Sequence, residues 1–186
     1  MPPATPADLF AFLNRLGIVT ETEEHAPVFT VAESRAIKAA IPGGHSKNLF
    51  LKDRKGRLFL VVARDETRID LKRLHETIGA SGRLSFGSAD LLRAALCVEP
   101  GSVTPFAAIN DRDGHVSVML EASLMAFERV NFHPLVNSMT TTIARGDLIR
   151  FLQATGHEPR VLALPEPASE LGPSETRRSA DDTPLD

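Results

Sequence analysis

The first apolar run with helical spacing is Leu9, Phe10, Phe12, Leu13 and Leu16. Side chains three and four positions apart share one face of a helix, so these residues form a single stripe. Thr5 precedes them as a cap, Pro6 suits the first turn, Asp8 meets the positive helix end and Gly17 stops the run. A polar strand follows from Val19 to Glu24, and His25-Ala26-Pro27 breaks it. Thr30 with Glu33 three places on reads as a capping box for a helix from Val31 to Ala40.

After Gly43-Gly44 the pattern changes to strands, Lys47 to Lys52 and Leu58 to Ala63, with Asp53-Arg54-Lys55-Gly56 as the hairpin turn between them. Asp70 caps a helix from Leu71 to Ile78 that Gly79 closes, Arg83 to Phe86 is a short strand, and Ser88 caps a helix running through Cys97. Strands are expected from Phe106 to Asn110 and from Val116 to Glu121, joined by Asp111-Arg112-Asp113-Gly114. Shorter strands cover Arg129 to Phe132 and Thr140 to Ile143. A helix from Asp147 to Thr155 ends at Gly156, and Arg160 to Leu164 is the last strand. Strands outnumber helices and fall in hairpin-like pairs, which predicts an α+β fold with a mixed, largely antiparallel sheet.

From Pro165 onward the periodicity vanishes and Pro, Ser, Glu and Asp dominate. Such a segment buries too little apolar surface to offset its ordering entropy. We therefore expect one folded domain over residues 1–165 and a disordered acidic tail over 166–186. Charge divides the same way. Six acids against Arg177 and Arg178 give the tail −4, leaving +1 on residues 1–165 of the −3 total. That is no footprint for gripping duplex DNA, although it permits contact with the end of an RNA. The lone Cys97 excludes an internal disulfide framework and is expected to be a buried, inert thiol. The chain shows neither a membrane-length apolar run nor the order of a signal peptide, so the expected compartment is the cytoplasm.

Six histidines invite a metal hypothesis, but nothing resembles His-Glu-x-x-His and Cys97 has no partner cysteine, so neither a metal nor another cofactor is expected. Two other stretches carry candidate chemistry. Glu99-Pro100-Gly101-Ser102-Val103-Thr104-Pro105-Phe106 is bracketed by prolines that restrict the backbone between them. It offers amides, carbonyls and hydroxyls without a strong acid or base, which suits binding a small polar group; it also reads as a tight helix-to-strand connection. Upstream, Lys47 and Asn48 stand where Gly43-Gly44-His45-Ser46 enters the apolar run Leu49-Phe50-Leu51. Lys at the edge of an apolar cavity can hold a phosphate or carbonyl oxygen, and Asn can donate and accept. His133, fixed by Pro134, either lines the same cleft or is a loop histidine without a role.

Three of these motifs together resemble the YbaK-like editing domains associated with prolyl-tRNA synthetase. Gly101-Ser102-Val103-Thr104-Pro105 is similar to that family's Gly-x-x-x-Pro loop, and Ser46-Lys47-Asn48-Leu49-Phe50-Leu51 to the strand bearing its catalytic lysine. Asn131-Phe132-His133-Pro134-Leu135-Val136-Asn137 with Thr140-Thr141-Thr142 resembles the free-standing ProX branch, and the match spans roughly residues 5–164. The resemblance implies a six-stranded, barrel-like mixed sheet surrounded by helices. It implies hydrolysis of the ester of tRNA(Pro) mischarged with alanine, or with cysteine. It assigns catalytic roles to Lys47, holding the terminal nucleotide, and to Gly101, contacting ester and ribose through its backbone. Asn48, Ser102, Val103, Thr104, Pro105 and His133 become substrate-binding residues. The resemblance also implies that the attacking water is organised by the substrate's own ribose hydroxyl, which agrees with the lack of an evident acid–base dyad in the sequence. The implied partners are the acceptor end of tRNA(Pro) and prolyl-tRNA synthetase, with no membrane and no specific DNA. A non-catalytic nucleic-acid-binding module is the competing reading; the absence of Tyr and Trp for stacking counts against it.

Overall fold

A computed structural model describes residues 2–27 and 39–168 of the chain. The expected helix from Val31 to Ala40, with Thr30 and Glu33, lies outside the described residues except for its last two positions, as does the expected tail beyond residue 168. The described chain runs α1 (Pro6–Arg15), β1 (Thr20–Glu24), β2 (Gly44–Lys52), β3 (Leu58–Arg64), α2 (Leu74–Ile78), β4 (Ser85–Phe86), α3 (Ala89–Leu96), β5 (Val116–Glu121), β6 (Arg129–Phe132), β7 (Met139–Ala144), α4 (Arg145–Ala154) and β8 (Arg160–Leu162). Two short 3-10 segments, Pro105–Ile109 and Leu124–Ala126, complete it.

Local chemistry accounts for most boundaries. The Thr5 hydroxyl accepts from the Asp8 amide while the Asp8 carboxylate accepts from the Thr5 amide, a reciprocal cap on α1. Ser88 Oγ accepts from the Leu91 amide at the start of α3. The helix expected from Leu71 begins only at Leu74, because Asp70 Oδ1 accepts from the Lys72 amide and turns the chain locally first.

The strands form one mixed sheet in the order β1-β7-β6-β2-β3-β5-β8, with β4 paired to β2. β1–β7, β6–β7, β2–β3 and β2–β4 are antiparallel; β2–β6, β3–β5 and β5–β8 are parallel. This corrects the expected six-stranded barrel: among the described residues eight strands take part and the two ends of the order do not pair. The outer edge of β1, Thr20-Glu21-Thr22-Glu23-Glu24, is largely exposed and carries acids, which discourages any further strand from adding. A second correction concerns Phe106 to Asn110. It is a 3-10 turn, not a strand, because Pro105 sets a helical φ and the Thr104 hydroxyl accepts from the Phe106 amide.

Both faces of the central strands are covered. Alternation sends Phe50, Leu60 and Val62 into the larger core with α1, α3, α4 and the 3-10 turn. Leu51, Val61, Ala63 and Met119 point the other way, against Leu74 and Ile78 of α2 and Leu164. β3 therefore reads as continuous apolar sequence, as expected of a strand buried on both sides. The Pro165 carbonyl accepts from the Asp70 amide at 2.7 Å, so the chain stays docked to that point.

The hairpin turn after β2 is held by Asp53, whose carboxylate is buried. Burial opposes its ionisation, but the amides of Ser81, Arg57 and Lys55 and the Arg57 guanidinium all donate to it. The donors win and hold the Asp53 pKa at about 2. Because the folded value lies below the unfolded one, this stabilisation is present above the ordinary 3.8 and is lost as pH falls towards 2. Asp53→Ala is expected to lower the melting temperature at pH 7 by several degrees and to flatten the decline of stability between pH 3.8 and 2. Thermal melts of both proteins across that range check it; identical curves refute it.

Candidate active site

β2 is the strand on which the sheet divides. Its first residues, Gly44 and His45, pair with β6, and its last, Leu51 and Lys52, pair with β4 on the same edge. Between them, residues 46–49 have no strand partner on that edge among the described residues, and Lys47 and Asn48 border the opening.

The two side chains leave β2 on opposite faces. Asn48 lies on the face of Phe50, where its Nδ2 donates to the Val103 carbonyl at 2.9 Å. That bond joins the strand to the loop at Gly101–Pro105. Asn48 Oδ1 is buried and has no hydrogen-bond partner among the described residues. Next to it, Ser46 Oγ donates to the Asn131 carbonyl at 3.2 Å, tying β2 to the β6–β7 hairpin.

Lys47 lies on the face of Leu49 and Leu51, opposite Ala63 in register. Its ammonium donates to the Asp65 carbonyl at 3.2 Å and to the Thr67 carbonyl. Those carbonyls are presented by a turn that a buried acid controls. Glu121 Oε2 accepts from the Arg64 amide at 2.6 Å and from the Thr67 hydroxyl at 3.0 Å. Lys47, Ala63 and Glu121 thus form a row across three adjacent strands on one face. Glu121 escaped the sequence reading; its only signal was an acid closing the apolar strand Val116-Ser117-Val118-Met119-Leu120.

The proline-bracketed loop is rigid for identifiable reasons. The Ser102 amide donates to the Glu99 carbonyl, and Gly101 between them has φ +91°, a conformation that resists a side chain although nothing crowds the site. Glu99 is held by Arg93 through three hydrogen bonds. At the other end Phe106 is fully buried, edge-on to Phe132 and Phe151 at 5.8 and 5.4 Å. Ser102, Thr104 and Pro105 are buried, and the Thr104 hydroxyl is engaged as the cap of the 3-10 turn. Gly101 is exposed and Val103 half-buried, so these are the parts of the loop within reach of a ligand.

His133 sits at the end of β6, and its Nδ1 donates to the Met139 carbonyl at 2.9 Å. Burial holds its pKa below the usual histidine range, the Met139 carbonyl opposes that shift, and nearby His25 reinforces it. The neutral ring with Nδ1–H fixed leaves Nε2 as an acceptor. The His25 ring lies 6.3 Å away and its Nε2 meets Thr140 Oγ1 at 2.9 Å. Leu135, two residues after His133, has φ +69°, uncommon for a γ-branched residue and a mark of a constrained loop.

Cys97 corrects another expectation. It is exposed, and it ends α3 at φ +53°. No group of three or more His, Cys, Asp or Glu among the described residues is arranged to hold a metal, and no helix there is long and apolar enough to cross a membrane.

The arrangement, a lysine and an asparagine at an opening beside a glycine-bearing loop, can bind an ester and its flanking phosphate without a protein base. The family model of the aminoacyl-tRNA editing domain matches residues 25–151. The chain belongs to that family. The sequence is 39% identical over 159 residues to prolyl-tRNA synthetase associated domain-containing protein 1 of Danio rerio, covering 84% of this chain and 86% of that one. It is 37% identical over 157 residues to the prolyl-tRNA editing protein ProX of Acetoanaerobium sticklandii, covering 84% and 95%. A crystal structure described as a candidate trans-editing enzyme for prolyl tRNA synthetase superposes with a TM-score of 0.66 at 18% identity, over 88% of this chain and 99% of that one, which shows the shared fold. The editing-domain resemblance and the aminoacyl-tRNA hydrolase class read from the sequence agree with this membership.

Proposed function

We propose that this editing domain acts in trans on tRNA(Pro) mischarged with alanine, hydrolysing the ester between the amino acid and the terminal ribose. The observation that carries the reading is the Asn48–Val103 hydrogen bond, which sets the Gly101 loop against β2 at the opening that Lys47 borders. A ligand crossing that edge has the Lys47 ammonium on one face of β2 and the Asn48-anchored backbone loop on the other, and no carboxylate–histidine dyad between them.

Lys47 leaves its carbonyl cradle to hold a phosphate of the terminal nucleotide, and the backbone around Gly101 supports the ester and ribose. His133 Nε2 accepts a hydrogen bond from the α-ammonium group. Water, oriented by the ribose hydroxyl, adds to the carbonyl carbon; the bond to the ribose oxygen breaks, releasing the amino acid and a tRNA with a free hydroxyl. Positioning and charge stabilisation suffice for an ester already activated in this way. tRNA(Pro) is the partner, and prolyl-tRNA synthetase is the enzyme that would recharge it. Deacylation of a panel of tRNAs charged with alanine, cysteine and proline tests the proposal: alanine release by the wild type supports it, and inertness towards every member defeats it.

Glu121 acts in this reading by positioning the turn that receives Lys47. Glu121→Gln turns one face of its acceptor pair into a donor against the Arg64 amide. Alanine release is expected to slow about 10-fold, the cost of one misplaced contact in a preorganised site, with KM rising more than kcat falls. Steady-state kinetics on the alanyl ester give the split; unchanged constants would free Glu121 of the role.

A further inference from the structure

On the Lys47 side of the sheet, between the hairpin turn after β2 and the segment before α3, lies a groove of about 1020 Å³. Its walls carry Arg54, Lys72 and Arg83, and its lining contains no acid. None of these cations is paired with a carboxylate among the described residues. The Arg54 stem is laid across Gly82, where an added β-carbon would come within 2.8 Å of its Cδ. Two apolar side chains stand open in the same groove, Phe86 at 61% exposure and Leu71 at 39%. An exposed aromatic ringed by unpaired cations, in a protein whose net charge is −3, is a local departure from the rest of the surface.

Strand register fixes where this groove lies relative to the site. Phe86 is directly opposite Leu51 in the β2–β4 pair, so the two side chains share a face. Leu51 in turn shares a face with Lys47, four residues back along β2, about 13 Å at the rise of a strand. Ammonium and aromatic therefore belong to the same side of the sheet, at the two ends of the β2 edge and separated by the length of a short piece of extended chain.

We propose that this groove binds the single-stranded 3′ end of the substrate RNA, with an unpaired base stacked on Phe86 and its phosphates against Arg54, Lys72 and Arg83. The proposal rests on the reading of Lys47 as the holder of the terminal nucleotide and extends it inward along the strand. Charge complementarity selects the occupant. Phosphates need cations and bases need a π-face, and a groove offering both without sequence-specific donors is suited to a single strand. A second copy of this chain would bring unpaired cations against unpaired cations. The stretch Arg83 to Phe86, which the sequence presents only as a short strand, thereby acquires a binding role.

The test uses the full chain with Phe86→Ala and with Arg54→Ala/Arg83→Ala, both altering exposed side chains, with thermal melts to establish folding. Fluorescence anisotropy with an eight-nucleotide RNA ending in CCA reads binding directly, across a salt series. Loss of the stacking platform is expected to weaken the oligonucleotide about 10-fold. Loss of the two arginines is expected to reduce the salt slope by about 0.7 per phosphate contact. Deacylation of alanyl-tRNA(Pro) should show a raised KM with kcat retained, while hydrolysis of alanyl-adenosine, which does not reach the groove, stays at the wild-type rate. Oligonucleotide affinity and salt slope equal to the wild type in both variants overturn the groove, whatever the activity. A wild type that binds the oligonucleotide through Phe86 but releases no amino acid would instead sustain the groove and remove the hydrolase reading.

Discussion

Replacing Lys47 with alanine is expected to slow alanine release from tRNA(Pro) on the order of 100-fold, the loss typical of one preorganised electrostatic contact, with the melting temperature almost unchanged. The neighbours that secure β2 are Leu51, Phe50 and the register with β3, and the substitution touches none of them. The ammonium is held by two backbone carbonyls, so its removal leaves no buried charge behind, only carbonyls at a half-open edge. Lys47→Arg is expected to rescue poorly, because a planar guanidinium on a longer stem fits neither the resting place between the Asp65 and Thr67 carbonyls nor the point from which a compact ammonium meets the phosphate. Single-turnover deacylation with saturating enzyme separates a chemical defect from a binding one. A Lys47→Ala protein with full activity would show that the catalytic centre lies elsewhere.

The second large effect concerns the choice of amino acid. Wild type is expected to hydrolyse alanyl-tRNA(Pro) on the order of 100-fold or more faster than prolyl-tRNA(Pro), since a rigid wall rejects added bulk more securely than a pocket rejects a missing methylene. The rigidity has visible sources. Val103 is pinned by Asn48, Phe106 is anchored between Phe132 and Phe151, and Pro105 fixes the backbone between them. The facing wall we propose is His133, locked to Met139 and followed by Pro134 and the strained Leu135. His133→Ala is expected to raise proline release more than it lowers alanine release. Because burial holds His133 neutral, its acceptor nitrogen persists through neutral pH and is lost as pH falls below the ordinary histidine range. Alanine release should decline there, and this decline should be missing in His133→Ala. Rates on both esters, for both proteins, from pH 5 to 8 decide the matter. Unchanged selectivity would take His133 out of the pocket, and wild-type cleavage of both esters would end the size-exclusion account.

What the sequence determined by itself is chiefly what neighbouring residues decide among themselves. The cap of α1 by Thr5 and Asp8, the cap of α3 by Ser88 and the apolar strand β3 depend on groups a few positions apart, and each appears where the pattern put it. The three motifs sufficed for the family because their residues are local too. The hydrophobic pattern failed where one chemical signal serves two structures. Phe106-Ala107-Ala108-Ile109 is apolar enough for a strand, but a capped proline start made it a 3-10 turn. Cys97 is flanked by apolar residues, yet its left-handed position at the end of α3 turns it outward.

Only the tertiary structure decided how the candidate residues meet. Adjacent Lys47 and Asn48 diverge to opposite faces because successive residues of a strand must, so one ligand can meet both only along the edge where β2 has no described strand partner between β6 and β4. Glu121 reaches the lysine's turn from 57 residues beyond Arg64 through strand register. Phe86 joins the Lys47 face through its pairing with Leu51. Pairing partners, parallel or antiparallel, are set by the packing of the whole sheet, and no stretch of the chain carries that information alone.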